Sequence, residues 1–346
     1  MIHSIQVLRF IAAMLVTAYH AAHFTDQNIV ALPPALMQFF VSGASGVHIF
    51  FVISGFIMVW TSHEKFGSPN YVGEFLKRRF VRIFPIYWVL GALNVPLMLG
   101  FGLAPPLTPA TAAGAALLLP GYATQLIFVG WTLSYEVLFY LAFGAFVGLR
   151  ERYAVLGFSL AFMGLMASRL LLNTDSAFVD VITNSLLLEF LFGAWIAWAV
   201  VNGIRLSRFW SLLILIAGLV GFGIVGTIGH DAVPTAIGWG IPSALVVSGV
   251  VLLEQQKALP KPFLSLSHLG DSSYSLYLLH AMLIPPATLL LARVVQPSLA
   301  VALVLIVVIT GGCIGLAHLV YHRLEKTLIG VTRRLISPRV PANVKP

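Results

Sequence analysis

The sequence predicts an all-α, polytopic membrane protein of about ten transmembrane helices with both termini in the cytoplasm. Composition, the lengths of the apolar runs and the distribution of Lys and Arg all point there. Hydrophobic residues make up 59% of the 346 positions and charged residues 9%, whereas ordinary soluble domains carry about 25% charged residues. The mean hydropathy of +0.95 agrees. The only cysteine, Cys313, lies in an apolar run, so an intramolecular disulfide is excluded.

The first apolar run, 5–24, opens after a short polar start and looks like a signal anchor. It has no clear small-residue cleavage site, so it is expected to be retained as a helix. Further runs follow at 46–62, 81–101, 130–148, 153–172, 184–201, 209–227, 235–253, 274–292 and 298–321. Each meets the length of about 17–25 residues that a membrane helix needs. The apolar segment 111–119 is short and ends at Pro120-Gly121, which suits an interfacial or re-entrant piece rather than an eleventh span. A transmembrane domain over 1–330 and a basic cytoplasmic tail over 331–346 are expected, with no evident repeat between halves.

Lys and Arg concentrate on the cytoplasmic side of membrane proteins. With the N-terminus inside and ten spans, 18 of the 20 Lys and Arg fall inside, and only Arg169 and Arg293 fall near outer ends. An odd number of spans breaks this pattern. The net charge of +8 therefore reads as topology and argues against nucleic acid as a partner.

Several ionisable groups lie within the apolar runs, where each is costly unless it faces a partner or a wet cavity. His20 lies 11 residues after Arg9, ~16 Å along a helix axis. Glu136, Glu189 and Arg169 fall at a similar depth to His20 in the outer half. One reading is a His base or nucleophile with a carboxylate to orient it, the arrangement that activates a hydroxyl. The alternative is a buried ion-pair cluster, such as Glu136 or Glu189 with Arg169, that fixes packing.

On the inner side, KRRFVRIFPIYW (77–88) sets four cations within six residues just ahead of the third run. It is a topogenic cluster with an aromatic belt, and also a candidate phosphate site, since arginine forks grip phosphates and a helix N-terminus favours anions. The glycines and serines of GASGVHIFFVISGF (43–56) suit close helix approach. Within this stretch Ser54 is a candidate channel-lining residue. SSYSLYLLH (272–280) opens the ninth run, where Tyr274 and His280 are candidates for contact with a ligand entering from the cytoplasm, and His280 equally for a bond to neighbouring helices. No metal-ligand spacing and no phosphate-binding GxxxxGK occurs.

Taken in order, RFIAAMLVTAYH (9–20), GVHIFFVISGFIM (46–58), KRRFVRIFPIYW (77–88), GWTLSYEVLFY (130–140), EFLFG (189–193), WGIPSALVVSG (239–249) and SYSLYLLH (273–280) resemble the acyltransferase family 3 membrane proteins. The tail YHRLEK (321–326) is a looser match, with Thr327 where many members have proline. These membrane-bound enzymes O-acylate carbohydrates and some other acceptors. The resemblance implies about ten helices in the bacterial plasma (inner) membrane, an acyl-CoA donor, usually acetyl-CoA, used from the cytoplasm, and no permanently bound cofactor. It also implies a carbohydrate or lipid-linked glycan acceptor at the other face. The family's essential histidine falls on His20, its paired arginine on Arg9, its arginine group on Arg78, Arg79 and Arg82, and its glutamate on Glu136. Ser54, Tyr274 and His280 complete the candidate donor-binding set. Some members carry a fused SGNH-type domain. This chain is expected to lack one and to resemble the stand-alone class that modifies exopolysaccharide, lipopolysaccharide or oligosaccharide signals. The expected mechanism has His20 as base or acyl carrier and Glu136 as the group that orients or charge-balances it. A transporter or flippase of a lipid-linked sugar is the rival reading, and acetyl-CoA binding separates the two.

Overall fold

The computed structural model describes residues 2–172, 174–229 and 233–336. Among these residues there are helices, turns and coil but no strands. The ten predicted runs correspond to ten helices: α1 (His3–Asn28), α2 (Ser45–Ser62), α3 (Tyr71–Gly100), α4 (Gly130–Phe146), α5 (Glu151–Ser168), α6 (Leu187–Val201), α7 (Arg208–Ile228), α8 (Ile241–Gln255), α9 (Ser273–Leu291) and α10 (Leu299–Val320). A π-helical turn, Tyr321–Glu325, carries α10 into α11 (Lys326–Ile336). The predicted tail thus begins inside α11, and 337–346, with Arg339 and Lys345, lies outside the described residues.

Among the described residues, eight helical stretches are long and apolar enough to cross a membrane. The two predicted spans outside that set are α4, which is only 17 residues long, and α5, which opens on Glu151 and Arg152. The segment at 111–119 forms a short helix, Pro109–Ala116, as its length required.

The one large boundary difference is at α3, which begins at Tyr71 rather than near residue 81. Polar residues extend the helix because its first turns stand beyond the apolar zone. Lys77, Arg78, Arg79 and Arg82 therefore lie inside a helix, and the first of them is ~9 Å past its start. The expected gain from a helix N-terminus does not apply here, so these arginines act through their side chains alone.

Helix α1 is central. It packs against α2, α8, α9 and α10, and its small residues Ala12, Ala13, Ala21 and Ala22 are fully buried. Helix α7 sits at the periphery, with Phe209, Ile216, Leu219 and Ile224 exposed, which suits a helix facing lipid. The predicted close approach occurs between α2 and α6. A Cβ at Gly55 would lie 1.9 Å from the Phe190 carbonyl oxygen, and one at Gly193 would lie 1.8 Å from that of Val52. Only glycine lets the two backbones touch, and such contact drives helix association where no hydrophobic effect acts.

Candidate functional site

Five helices enclose a cavity of about 180 Å³. Arg9 enters it from α1, Ser54 from α2, Arg79 and Arg82 from α3, Glu136 from α4 and Tyr274 from α9. Arg79, Arg82 and Ile83 share one helix face because residues three and four apart line up. Arg78, one residue off that face, pairs instead with the exposed Glu74. The structure therefore brings together six of the predicted residues and sets Arg78 outside.

The cavity's cations differ in how they are partnered. Arg82 Nη1 donates to Glu325 Oε1 at 2.7 Å, and Ser275 Oγ donates to the other carboxylate oxygen at 2.6 Å. The π-helical turn aims Glu325 inward, where it is fully buried. Arg9 Nη1 donates to Gln6 Oε1 at 2.8 Å, and Gln6 in turn donates to Asp271. Arg79 makes no salt bridge among the described residues. Its guanidinium sits 5.5 Å from the centre of the Phe75 ring and 5.6 Å from that of Tyr140, and its buried Nε has no hydrogen-bond partner. A cation resting against two nearly perpendicular aromatic rings with unused donors is prepared to receive an anion. Beside Arg79, Ser54 and Tyr140 both donate to Glu136.

The predicted outer band of ionisable groups does not form one cluster. Glu189 accepts from His48 Nδ1 at 2.8 Å in a fully buried pair stacked against Trp239. Arg169 pairs with Asp180 on the surface. Glu136 is spent on Ser54 and Tyr140 and does not hydrogen-bond His20. Depth read from sequence omits the azimuth of each helix, so groups at one level can face different neighbours.

What meets His20 is His280. The ring centres are 5.0 Å apart, and Phe128 packs edge-on against His20 at 5.1 Å. His280 sits deeper than its place in the sequence suggested because α9 starts within the protein, with Ser273 and Tyr274 already lining the cavity. Each imidazole donates from Nδ1 to a carbonyl one turn back: His20 to Val16 at 2.9 Å and His280 to Leu276 at 3.1 Å. A neutral imidazole that donates from Nδ1 carries its lone pair on Nε2. The His280 Nε2 is buried without a partner. In the neutral form, both rings are thus held in the tautomer whose Nε2 can accept a proton.

A second cavity, of about 230 Å³, lies on the other side of the histidines. Phe128 and Phe24 line it, together with Asn94, Met98 and Gln125. Four chain segments run from one cavity to the other past the histidine level. On α1 the order is Arg9, His20, Phe24; on α9 it is Tyr274, His280, Pro285; on α3 it is Arg82 to Asn94; and from α4 back into the preceding loop it is Glu136 to Phe128. The two histidines therefore stand between an arginine-lined cavity and an uncharged one.

Sequence reasoning missed Glu325, Phe128, Asn94 and Gln125. Glu325 lies in the looser YHRLEK match, which marked it without a role. The other three are uncharged residues whose position depends on tertiary packing.

Residues 2–318 match the acyltransferase domain family. The exopolysaccharide production protein ExoZ of Rhizobium meliloti (strain 1021) is 32% identical over 351 aligned positions, which cover 92% of this chain and 96% of that protein. The acyltransferase MdmB of Streptomyces mycarofaciens is 30% identical over 158 positions, covering 40% of this chain and 38% of its own length. No solved structure matches the chain significantly.

Proposed function

The chain belongs to the acyltransferase family whose domain spans residues 2–318, and from that premise we propose that it moves an acyl group, most simply acetyl, from acyl-CoA to a hydroxyl of an exported or surface carbohydrate. The observation that carries this reading is the pair His20–His280, held between an arginine-lined cavity and an uncharged one. The similarity to an exopolysaccharide production protein over nearly the whole of both chains supports a polysaccharide acceptor.

In this reading the arginine side faces the cytoplasm of a bacterium whose plasma membrane holds ten spans and both termini inside, as the bias of Lys and Arg supports. The CoA phosphates pair with Arg79, Arg9 and Arg82. The thioester arm runs along α1 toward His20, ~16 Å from Arg9. Tyr277 lines the arginine cavity and packs 5.5 Å from His280, so it continues the wall toward the histidines. The acceptor oxygen attacks the thioester carbonyl carbon while His20 Nε2 takes its proton. The carbon–sulfur bond breaks, and the leaving sulfur receives that proton to give free CoA thiol. A covalent route, with Nε2 itself taking the acyl group first, uses the same atom. Glu136 balances the arginines rather than orienting His20.

Acetyl-CoA binding to the purified protein in nanodiscs tests the donor side. Losing charge-assisted hydrogen bonds worth about 1.5–3 kcal/mol makes Arg79→Ala raise the Kd by roughly 10- to 100-fold. Arg78→Ala, outside the cavity, leaves the Kd within about twofold of wild type by the same conversion. Equal effects of the two substitutions, or no binding by the wild type, would contradict the assignment.

A further inference from the structure

Two residues in the wall of the second cavity carry oxygen acceptors without donors. Asn94 is 6% exposed, and its Nδ2 donates to the Leu126 carbonyl at 2.6 Å. A carbonyl only accepts, so the amide is fixed with Oδ1 as its free atom, and that atom is buried without a partner. Gln125 Oε1, in the same wall, is also buried and unpartnered. Leaving each dry costs about 1–3 kcal/mol, which a bound donor offsets. Among the described residues no charged side chain lines this cavity, and Phe24 and Phe128 line it with apolar rings. Its volume is below the ~300–1,000 Å³ of sites that enclose a drug-sized ligand.

We propose that this cavity is the acceptor subsite and takes one uncharged sugar ring, with Asn94 Oδ1 and Gln125 Oε1 accepting from two of its hydroxyls. The chemistry fits on three counts. A sugar offers O–H donors to unpaired acceptors and C–H faces to aromatic rings, and a single ring suits the space. An acyl chain of a lipid satisfies neither oxygen. A uronate or phosphate brings an anion to two carbonyl oxygens with no cation beside them, which is repulsive and uncompensated. Phe128 touches both the cavity and His20, so a ring stacked there presents a remaining hydroxyl toward Nε2. The polymer to which the ring belongs stays outside the cavity.

The inference rests on the acyltransferase reading, and the experiment separates their failures. Purified protein in nanodiscs receives acetyl-CoA and either methyl β-D-glucopyranoside, methyl β-D-galactopyranoside or the corresponding methyl glucuronide. Transfer is followed by mass spectrometry, and the acetyl-CoA Kd is measured in parallel. Transfer is expected to at least one neutral glycoside and at least tenfold less to the glucuronide. Gln125→Leu and Asn94→Leu are each expected to raise the acceptor KM about tenfold or more while the acetyl-CoA Kd stays at the wild-type value. Gln125→Leu guards against a folding defect, because its Oε1 holds no internal bond. An unchanged acceptor KM in both variants overturns the subsite, as does preference for the glucuronide. No transfer to any neutral glycoside by protein that binds acetyl-CoA overturns it too. If acetyl-CoA does not bind at all, the donor assignment itself has failed.

Discussion

Arg82 and Arg79 lie three residues apart on α3 and point into the same cavity, yet only Arg82 has a carboxylate. Its partner Glu325 comes from the far end of the chain and is fully buried. Removing one member of a buried pair leaves the other uncompensated, at a cost on the order of 3 kcal/mol. Glu325→Gln keeps the shape and the bond from Ser275 but loses the charge. Its thermal midpoint in detergent is expected to fall clearly below wild type, while acetyl-CoA binds as tightly or more tightly because Arg82 is released. An unchanged midpoint would mean that the pair contributes no stability. At this scale the sequence exposed the charged and polar groups readily: Arg9, Arg79, Arg82, Glu136, Ser54 and Tyr274 do share one cavity. It set Glu136 beside His20, whereas Glu136 accepts hydrogen bonds from Tyr140, one turn along α4, and from Ser54 on α2, a contact between helices that spacing does not encode.

Each predicted run became a helix, since apolar length alone dictates a structure that satisfies its own backbone in lipid. Ends set by polar residues were less legible, as the early start of α3 at Tyr71 demonstrates. Contacts between helices were legible where glycine carries them. The α2–α6 crossing leaves no room for a side chain at Gly193. Gly193→Leu is expected to destabilise the protein by about 3 kcal/mol or more through overpacking, read as a lower midpoint and loss of monodispersity in size-exclusion chromatography. Gly164→Leu, where no atom lies within 4 Å, serves as the control and should behave as wild type. Equal behaviour of the two variants would remove the close crossing from the account.

The whole molecule joins two cavities of opposite character through one pair of imidazoles. In the proposed function, charge on one side and its absence on the other divide donor from acceptor, and α1 runs past both cavities, carrying Arg9, His20 and Phe24 along its length. The Lys and Arg bias predicts a basic inner side, whereas the pairing of His20 with His280 depends on α9 starting beside the arginines, which spacing does not encode. Family membership makes the chain an acyltransferase rather than a transporter. In the proposed function His20 performs the transfer and does not merely hold the helices together. The direct test measures acetyl-CoA affinity and acyl transfer in the same preparation of His20→Ala. Donor affinity is expected to match wild type because His20 lines neither cavity, while transfer falls by about 10²- to 10⁴-fold, the usual contribution of a positioned base. Transfer at the wild-type rate in protein that still binds acetyl-CoA would contradict the account.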